Sequence, residues 1–384
     1  MSAVKELNKL TATNNQIELD EKLSSLKPIV RKVLLVQPIQ IQEKKLDIRI
    51  AKNKRYYMYP PYGLGILNTI LKKNKIQSKI LDLNFEVFDF IRKNENIAAD
   101  DLTKRWKEKL QKELNVFSPD LVGVSCTFTM NHENMIEIFK EVKETDNKIL
   151  TIAGGVHVSN ATEMVLKASK DIDFAVTYEA EKSFVEFINY INTKNDFHKI
   201  SQISFLKNNV VKEIVKKDPP GHDDLNVIPD YGDLNISELT DIGEIGTFRY
   251  WRPKNSKGSA VLSNKGCRAR CSFCSVRNFN GKGVRAKSVV TVIDEIKELQ
   301  DRYGINHITW LDDDLFYGVD RTLDLFNSMV KENLNVTWDA SNGLIASAAV
   351  AHPEIVAAAA ESGCIGAYFG IESGNDQILK KIYK

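Results

Sequence analysis

From Arg31 to Glu179 short apolar runs alternate with stretches of helical period, and no other feature narrows the fold as much. The runs are Val33–Pro38, Lys79–Leu83, Leu121–Cys126, Ile149–Gly155 and Phe174–Glu179, with helical patterns near Gly63–Lys73, Asp101–Asn115, Asn131–Glu144 and Glu163–Ser169. Near-continuous apolar runs suit strands buried on both faces, and the intervening helices supply the crossovers that parallel strands require. The pattern predicts an α/β, flavodoxin-like doubly wound sheet in the order 2-1-3-4-5, with its ligand beyond the carboxyl ends of the strands. Ile200–Ile214 reads as a hairpin turning at Asn208-Asn209, which would extend that sheet. The expected organisation is a polar tail over residues 1–30 leading to Pro28, a first domain over 31–215, a linker over 216–257 and a second α/β domain over 258–384. Pro219-Pro220-Gly221 and Pro229-Asp230-Tyr231 give that linker its composition.

The second domain opens with KGCRARCSFCSV, which places Cys267, Cys271 and Cys274 in a C-x3-C-x2-C spacing. Arg268, Arg270 and Arg277 stand beside them, and positive charge favours the thiolate that a soft metal centre needs. A structural zinc site or a fully ligated iron–sulfur cluster wants four ligands. The nearest further candidates, His307 and Cys364, have no short spacing to the triplet. The set therefore suits a four-iron cluster with one iron left open, with a zinc knuckle as the alternative. Cys126 and Cys364 read as buried structural thiols, and three clustered cysteines of five are no disulfide framework. With 53 basic and 51 acidic residues the formal net charge is +2, which points to neither a nucleic-acid partner nor an anionic membrane. No apolar run approaches the roughly 18 residues of a membrane helix, and the amino terminus has no apolar signal core. The expectation is a cytoplasmic protein acting on a small molecule.

The cysteine spacing resembles that of the radical S-adenosylmethionine enzymes, in which the open iron of a [4Fe–4S] cluster chelates S-adenosylmethionine. The resemblance implies that Cys267, Cys271 and Cys274 are the cluster ligands, and that Phe273 packs near the adenine. It extends to Asp312-Asp313-Asp314 after an apolar run, where Asp313, Asp314 and Phe316 match a D-D-x-F motif that binds the amino group of S-adenosylmethionine. Asn342, within Ser341-Asn342-Gly343, and Glu372, within Gly370-Ile371-Glu372-Ser373-Gly374, are further candidates to hold that cofactor.

The first domain resembles cobalamin-binding domains. Ser125-Cys126-Thr127 and Gly154-Gly155 match the S-x-L and G-G half of their motif, with Thr127 in place of leucine. The resemblance implies that Ser125, Thr127, Gly154, Gly155 and His157 line a cobalamin site. Gln37-Pro38-Ile39-Gln40 stands where the family carries D-x-H-x-x-G, so cobalamin is expected without histidine coordination. PPYGLGIL, from Pro60 to Leu67, is a prolyl turn into a helix that also resembles the family.

Together the resemblances imply a cobalamin-dependent radical S-adenosylmethionine enzyme. It would transfer a methyl group to an unactivated carbon by way of a 5′-deoxyadenosyl radical and methylcobalamin, with electrons from a flavodoxin- or ferredoxin-type donor. Radical oxidative cyclisation or ring rearrangement in the same architecture is one alternative, and a non-catalytic cobalamin-binding protein is another. Only about four βα units fit between Gly258 and Lys384, against six in the family's barrel, so an incomplete, truncated barrel is expected.

Overall fold

The computed structural model describes residues 2–26, 29–98, 100–214, 221 and 223–383. Pro28, Pro219 and Pro220 lie outside the described residues. The chain divides into two compact units. The first comprises Met1–Leu46, Leu67–Phe90 and Asn94–Pro219, and the second comprises Asp47–Ile66, Ile91–Lys93 and Pro220–Lys384.

In the first unit β1 (Lys32–Gln37), β2 (Gln77–Asp82), β3 (Leu121–Ser125), β4 (Leu150–Gly154) and β5 (Phe174–Val176) form a parallel sheet in the order β2-β1-β3-β4-β5. The hairpin β6 (Ile203–Lys207) and β7 (Val210–Ile214) extends it antiparallel beyond β5. Both features are as the apolar runs predict. Val33, Leu34, Leu35 and Val36 of β1 are all buried, as a strand covered on both faces must be. At Asn208 and Asn209 the backbone takes positive φ, the conformation that two-residue hairpin turns need.

Two elements sharpen the expectation. The amino-terminal residues, whose weak helical pattern suits either a tail or an outer helix, form the helix Ser2–Leu26, whose Leu19 and Leu23 are fully buried. Asp20 accepts a hydrogen bond from the Tyr190 hydroxyl at 2.8 Å, and Glu18 pairs with Lys212 at 2.8 Å. The helix's apolar residues are few and its period faint, yet Leu19 and Leu23 dock while Ile17 stays exposed. A second helix, Leu83–Lys93, begins where a strand end was expected, because Asp82 caps it by accepting from the Phe85 amide at 3.0 Å.

The second unit has a four-stranded parallel sheet in which β8 (Gly258–Val261) is followed by a separate hairpin of β9 (Asn264–Cys267) and β10 (Gly283–Ala286). The sheet continues through β11 (His307–Trp310), β12 (Thr337–Leu344) and β13 (Cys364–Phe369), in the order β13-β12-β11-β8. Trp310 and Trp338 meet edge to face, and Phe326 of the helix Val319–Lys331 stacks on Trp338 at 5.0 Å between ring centroids. That aromatic layer binds helix to sheet on one face. The other face carries His307, Thr309 and Asp339, whose side chains are buried and hydrogen-bonded to one another.

Residues 223–251, read as linker, belong to this unit and bury Leu225, Val227, Tyr231, Leu234, Ile236, Leu239, Ile242 and Ile245. These apolar residues follow neither a helical nor a strand period, and the prolines and acids among them gave the stretch a linker's composition. The segment Asp47–Ile66 joins the same unit, its Tyr57 pairing with Glu244 and its Met58 amide donating to the Glu244 carbonyl at 2.7 Å. Among the described residues no helix is long and apolar enough to cross a membrane.

Candidate functional sites

In the second unit the cysteine loop springs from a hairpin. Cys267 ends β9 opposite Gly283, and Gly266 before it takes φ +89 with the Gly283 carbonyl where a side chain would stand. Only glycine fits such a conformation and approach. Beyond it Cys267 and Cys271 are half-buried and Cys274 is exposed. The Cys274 amide closes a turn on the Cys271 carbonyl at 3.1 Å, and the Ser272 amide donates to the Ile382 carbonyl at 3.0 Å, tying the loop to the end of the helix Asp376–Lys381. Phe273, between these two cysteines, is exposed.

Among the described residues no three His, Cys, Asp or Glu side chains converge as ligands of a single ion. A four-iron cube puts each thiolate on a different iron, so its ligands stand farther apart than those of one ion. Three unpaired cysteines on one partly exposed loop fit that donor set and do not form a preassembled zinc site. Neither further candidate can join them. His307 is buried with both ring nitrogens engaged, Nδ1 with Thr337 at 2.9 Å and Nε2 with Asp339 at 3.0 Å. Cys364, half-buried where a buried thiol was expected, opens β13 at the amino end of the parallel sheet, whereas the cysteine loop follows the carboxyl end of β8.

Arg268 acts differently from the sequence expectation. Arg268 Nε pairs with Asp314 Oδ2 at 3.2 Å, so its charge is spent on a buried carboxylate. Burial, and after it Asp314, Asp313 and Cys271, push the Cys267 thiol up. Deprotonation there has to come with the metal, which releases the thiol proton as it binds.

The three aspartates do three things. Asp312 is buried and accepts from the Ser263 amide at 2.9 Å, the Ser263 hydroxyl at 2.5 Å and the Asn264 amide at 2.9 Å, fixing the start of β9. Asp313, half-buried, accepts from Asn280 Nδ2 at 2.9 Å. Asp314 is buried, and its second oxygen, Oδ1, has no hydrogen-bond partner among the described residues. An orphaned buried carboxylate oxygen beside the cysteine loop suits an incoming ammonium group. At the end of β12 Asn342 is exposed, its amide nitrogen donating to the Leu311 carbonyl at 2.8 Å. Glu372, past β13, is exposed at φ +62.

Burial pushes Asp312 up to about 6 in spite of its donors. A carboxyl whose pKa is raised in the fold binds its proton more tightly there than in the unfolded chain. Its contribution is therefore complete below the unfolded value and lost as pH rises through about 6. Urea unfolding of wild type and Asp312→Asn between pH 4 and 7 should show this: stability of the wild type falls relative to the variant across that window. Parallel pH profiles would refute the raised value.

In the first unit Ser125, Thr127, Gly154 and Gly155 meet at the carboxyl ends of β3 and β4. The Cys126 amide donates to the Gly154 carbonyl at 2.7 Å, and the His157 amide donates to the Cys126 carbonyl at 3.1 Å. Gly155 has φ +102, and a β-carbon there would stand 2.5 Å from the Cys126 carbonyl oxygen. The two strand ends can close on each other only with glycine at this position. Ser125 and Thr127 are half-buried, while Phe128 and Met130 are exposed, leaving an apolar rim beside a floor of small residues. That cradle fits a bulky corrinoid. Where D-x-H-x-x-G is missing, the carbonyls of Ile39 and Ile41 accept from Asn134 Nδ2 at 2.7 and 3.1 Å. Gly155→Ala is expected to cost about 1–3 kcal/mol through backbone strain, read as a lower thermal midpoint; an unchanged midpoint would show that the turn relaxes.

His157 is buried and satisfied by side chains, where sequence reasoning offered either ligand contact or a backbone partner. Its Nδ1 meets Thr129 Oγ1 at 3.2 Å and its Nε2 meets His132 Nδ1 at 3.0 Å. Thr129 and His132 were not singled out from the sequence. Their only signal there is a threonine and a histidine shortly after Ser125.

Two family models match the chain: the B12 binding domain over residues 48–188 and the radical SAM superfamily over residues 261–384. An uncharacterized methyltransferase, PH0819, of Pyrococcus horikoshii is 27% identical over 329 residues, covering 85% of this chain and 63% of that protein. Cytidylyl-2-hydroxyethylphosphonate methyltransferase of Streptomyces wedmorensis is 24% identical, covering 84% of this chain and 63% of its own length. The chain thus spans about 63% of the length of these curated relatives. Among solved structures, the radical S-adenosylmethionine methyltransferase TsrM of Kitasatospora setae, with cobalamin and a [4Fe–4S] cluster bound, shares the fold. That match has a TM-score of 0.65 at 19% identity and covers 93% of this chain and 64% of that one. The matched models describe a B12-binding domain and a radical S-adenosylmethionine domain. With both domains in order along one chain, the protein belongs to the radical S-adenosylmethionine proteins that carry a B12-binding domain.

Proposed function

We propose that this chain belongs to a cobalamin-dependent radical S-adenosylmethionine methyltransferase that methylates an unactivated carbon of a small molecule. The observation that carries the reading is the pairing, in one chain, of the two matched domains with relatives named as methyltransferases over 84–85% of its length. Cys267, Cys271 and Cys274 would hold the cluster, and Phe273, Asp313, Asp314, Asn342 and Glu372 would hold S-adenosylmethionine. Ser125, Thr127, Gly154, Gly155 and His157 would line the cobalamin site. When bound, the cluster supplies an electron to S-adenosylmethionine and cobalamin supplies the methyl group.

The chain's own residues orient and shield. Asp312 fixes the backbone at Ser263 and Asn264, from which the cysteine loop departs. Asp314 holds a buried negative charge with Arg268 on one oxygen and the other open. The glycines at 154 and 155 keep the strand ends small enough for a large ring system to lie close to the backbone. A flavodoxin- or ferredoxin-type donor would supply electrons in the reducing cytoplasm, where such a cluster persists.

The test is anaerobic reconstitution of the chain with iron, sulfide and hydroxocobalamin, followed by desalting, metal analysis and incubation with S-adenosylmethionine and reductant. About four irons and one cobalt per chain, with formation of S-adenosylhomocysteine, support the reading. Cobalt retained without any consumption of S-adenosylmethionine would leave a cobalamin carrier, and zinc alone would overturn the account.

A further inference from the structure

The Thr129, His157 and His132 side chains form a hydrogen-bonded chain that the methyltransferase reading does not use. Thr129 and His132 follow β3, while His157 follows the paired glycines after β4, so two neighbouring loops contribute to one cluster at the carboxyl edge of the sheet. His157 has both ring nitrogens occupied, and His132 Nδ1 is occupied by His157. Among the described residues no protein group meets His132 Nε2. The ring is half-buried, and it lies at 81° to the His157 ring with centroids 5.1 Å apart, so its orientation is fixed.

Two directions satisfy this chain. With the Thr129 hydroxyl donating to His157 Nδ1, His157 Nε2–H donates to His132 Nδ1 and His132 presents Nε2–H outward; with the direction reversed, His132 Nε2 faces outward as an acceptor. Burial lowers the pKa of both histidines, with Glu133 opposing it at His132, and their proximity lowers that of His157 further, so the neutral pair is favoured. His157 is buried, His132 half-buried and Thr129 exposed, so the chain opens to solvent at both ends, and an anionic oxygen meeting His132 Nε2 selects the donor arrangement. Beside it lie the Gly154-Gly155 floor and the exposed apolar side chains of Phe128 and Met130 on the same loop as Thr129.

We propose that His132, held in register by His157 and Thr129, donates to an oxygen of the phosphodiester in the nucleotide tail of bound cobalamin. The assignment rests on the corrinoid reading of the first unit and adds a residue that discriminates complete cobalamins from tail-less corrinoids. A hydrogen bond to a charged acceptor is stronger than one between neutral groups.

The test titrates the full chain and its His132→Ala, His132→Gln and Thr129→Val variants with hydroxocobalamin and with aquacobinamide, which lacks the nucleotide and its ring-side phosphodiester, by absorbance. The expected result is about tenfold weaker cobalamin binding in His132→Ala, a smaller loss in Thr129→Val, and unchanged aquacobinamide binding in all variants. Equal losses for both corrinoids, or no loss for either, overturn the assignment while leaving the corrinoid reading intact. Wild-type chain that binds neither corrinoid overturns both. His132→Gln keeps an amide donor, so partial recovery of cobalamin preference in it separates a lost hydrogen bond from a disturbed loop.

Discussion

Alanine at any one of Cys267, Cys271 or Cys274 is expected to take the iron content of anaerobically reconstituted protein from about four to below about one per chain, with loss of the brown visible absorption. The expectation follows from ligand supply. The loop provides three thiols, and the two nearest replacements are ruled out by their surroundings: His307 has both ring nitrogens committed inside the sheet, and Cys364 lies at the start of β13. A cube that keeps one iron open has no thiolate to spare, so two thiolates leave two irons without protein ligands. Serine at the same positions should behave nearly as alanine does, since an alkoxide is a poor match for a soft centre. Retention of a four-iron cluster in any single variant would remove that cysteine from the ligand set. Equal zinc content in wild type and all three variants would put the metal elsewhere.

Much of this architecture was legible because buried parallel strands write themselves as uninterrupted apolar runs. Val33 to Val36 could be read directly, and so could the order of the sheet, since short crossovers with a fixed hand leave few topologies open. The helix Ser2–Leu26 was legible only as a weak helical pattern open to a tail or an outer helix, because its sequence is mostly polar; Leu19 and Leu23 are what seat it. The stretch at 223–251 misled for the opposite reason: its eight buried apolar residues have no period, so prolines and acids dominated the reading. At the sites, residue type carried the information and geometry did not. The cysteine spacing and the paired glycines pointed to their chemistry directly, whereas three adjacent aspartates looked equivalent. The structure gives Asp312 three donors and Asp314 one arginine with an orphaned oxygen. Arg268 was read as a neighbour of thiolates, and only the fold shows it turned onto Asp314.

Glu295→Ala should be the most destabilising single change in the second unit, at about 3–5 kcal/mol, because it leaves a buried lysine without its counter-charge. Lys287 Nζ lies 2.8 Å from Glu295 Oε2 and 2.7 Å from the Tyr62 hydroxyl, with both charged side chains almost fully buried. The Tyr62 hydroxyl lies 2.8 and 3.0 Å from the two oxygens of the same carboxylate and Tyr231 donates to Oε1 at 3.0 Å, so both oxygens have donors. Tyr62 begins the helix after Pro60-Pro61, Tyr231 comes from the segment once read as linker, and Lys287 and Glu295 flank the start of the helix Val289–Tyr303. Three distant stretches of sequence are thus pinned at one carboxylate. Burial dominates the balance and pushes the Glu295 pKa up, with Lys287 opposing it, so the ion pair carries a desolvation cost that its partners offset. That balance predicts an order: Glu295→Ala and Lys287→Ala each destabilise severely, Glu295→Gln less, and the double change Lys287→Met with Glu295→Leu least of the charge-removing set, because it strands no charge. Urea unfolding of the second unit's transition, followed by tryptophan fluorescence from Trp310 and Trp338, measures it. If the double variant proved as unstable as Glu295→Ala, the cost would lie in lost hydrogen bonds to Tyr62 and Tyr231 and not in the stranded lysine.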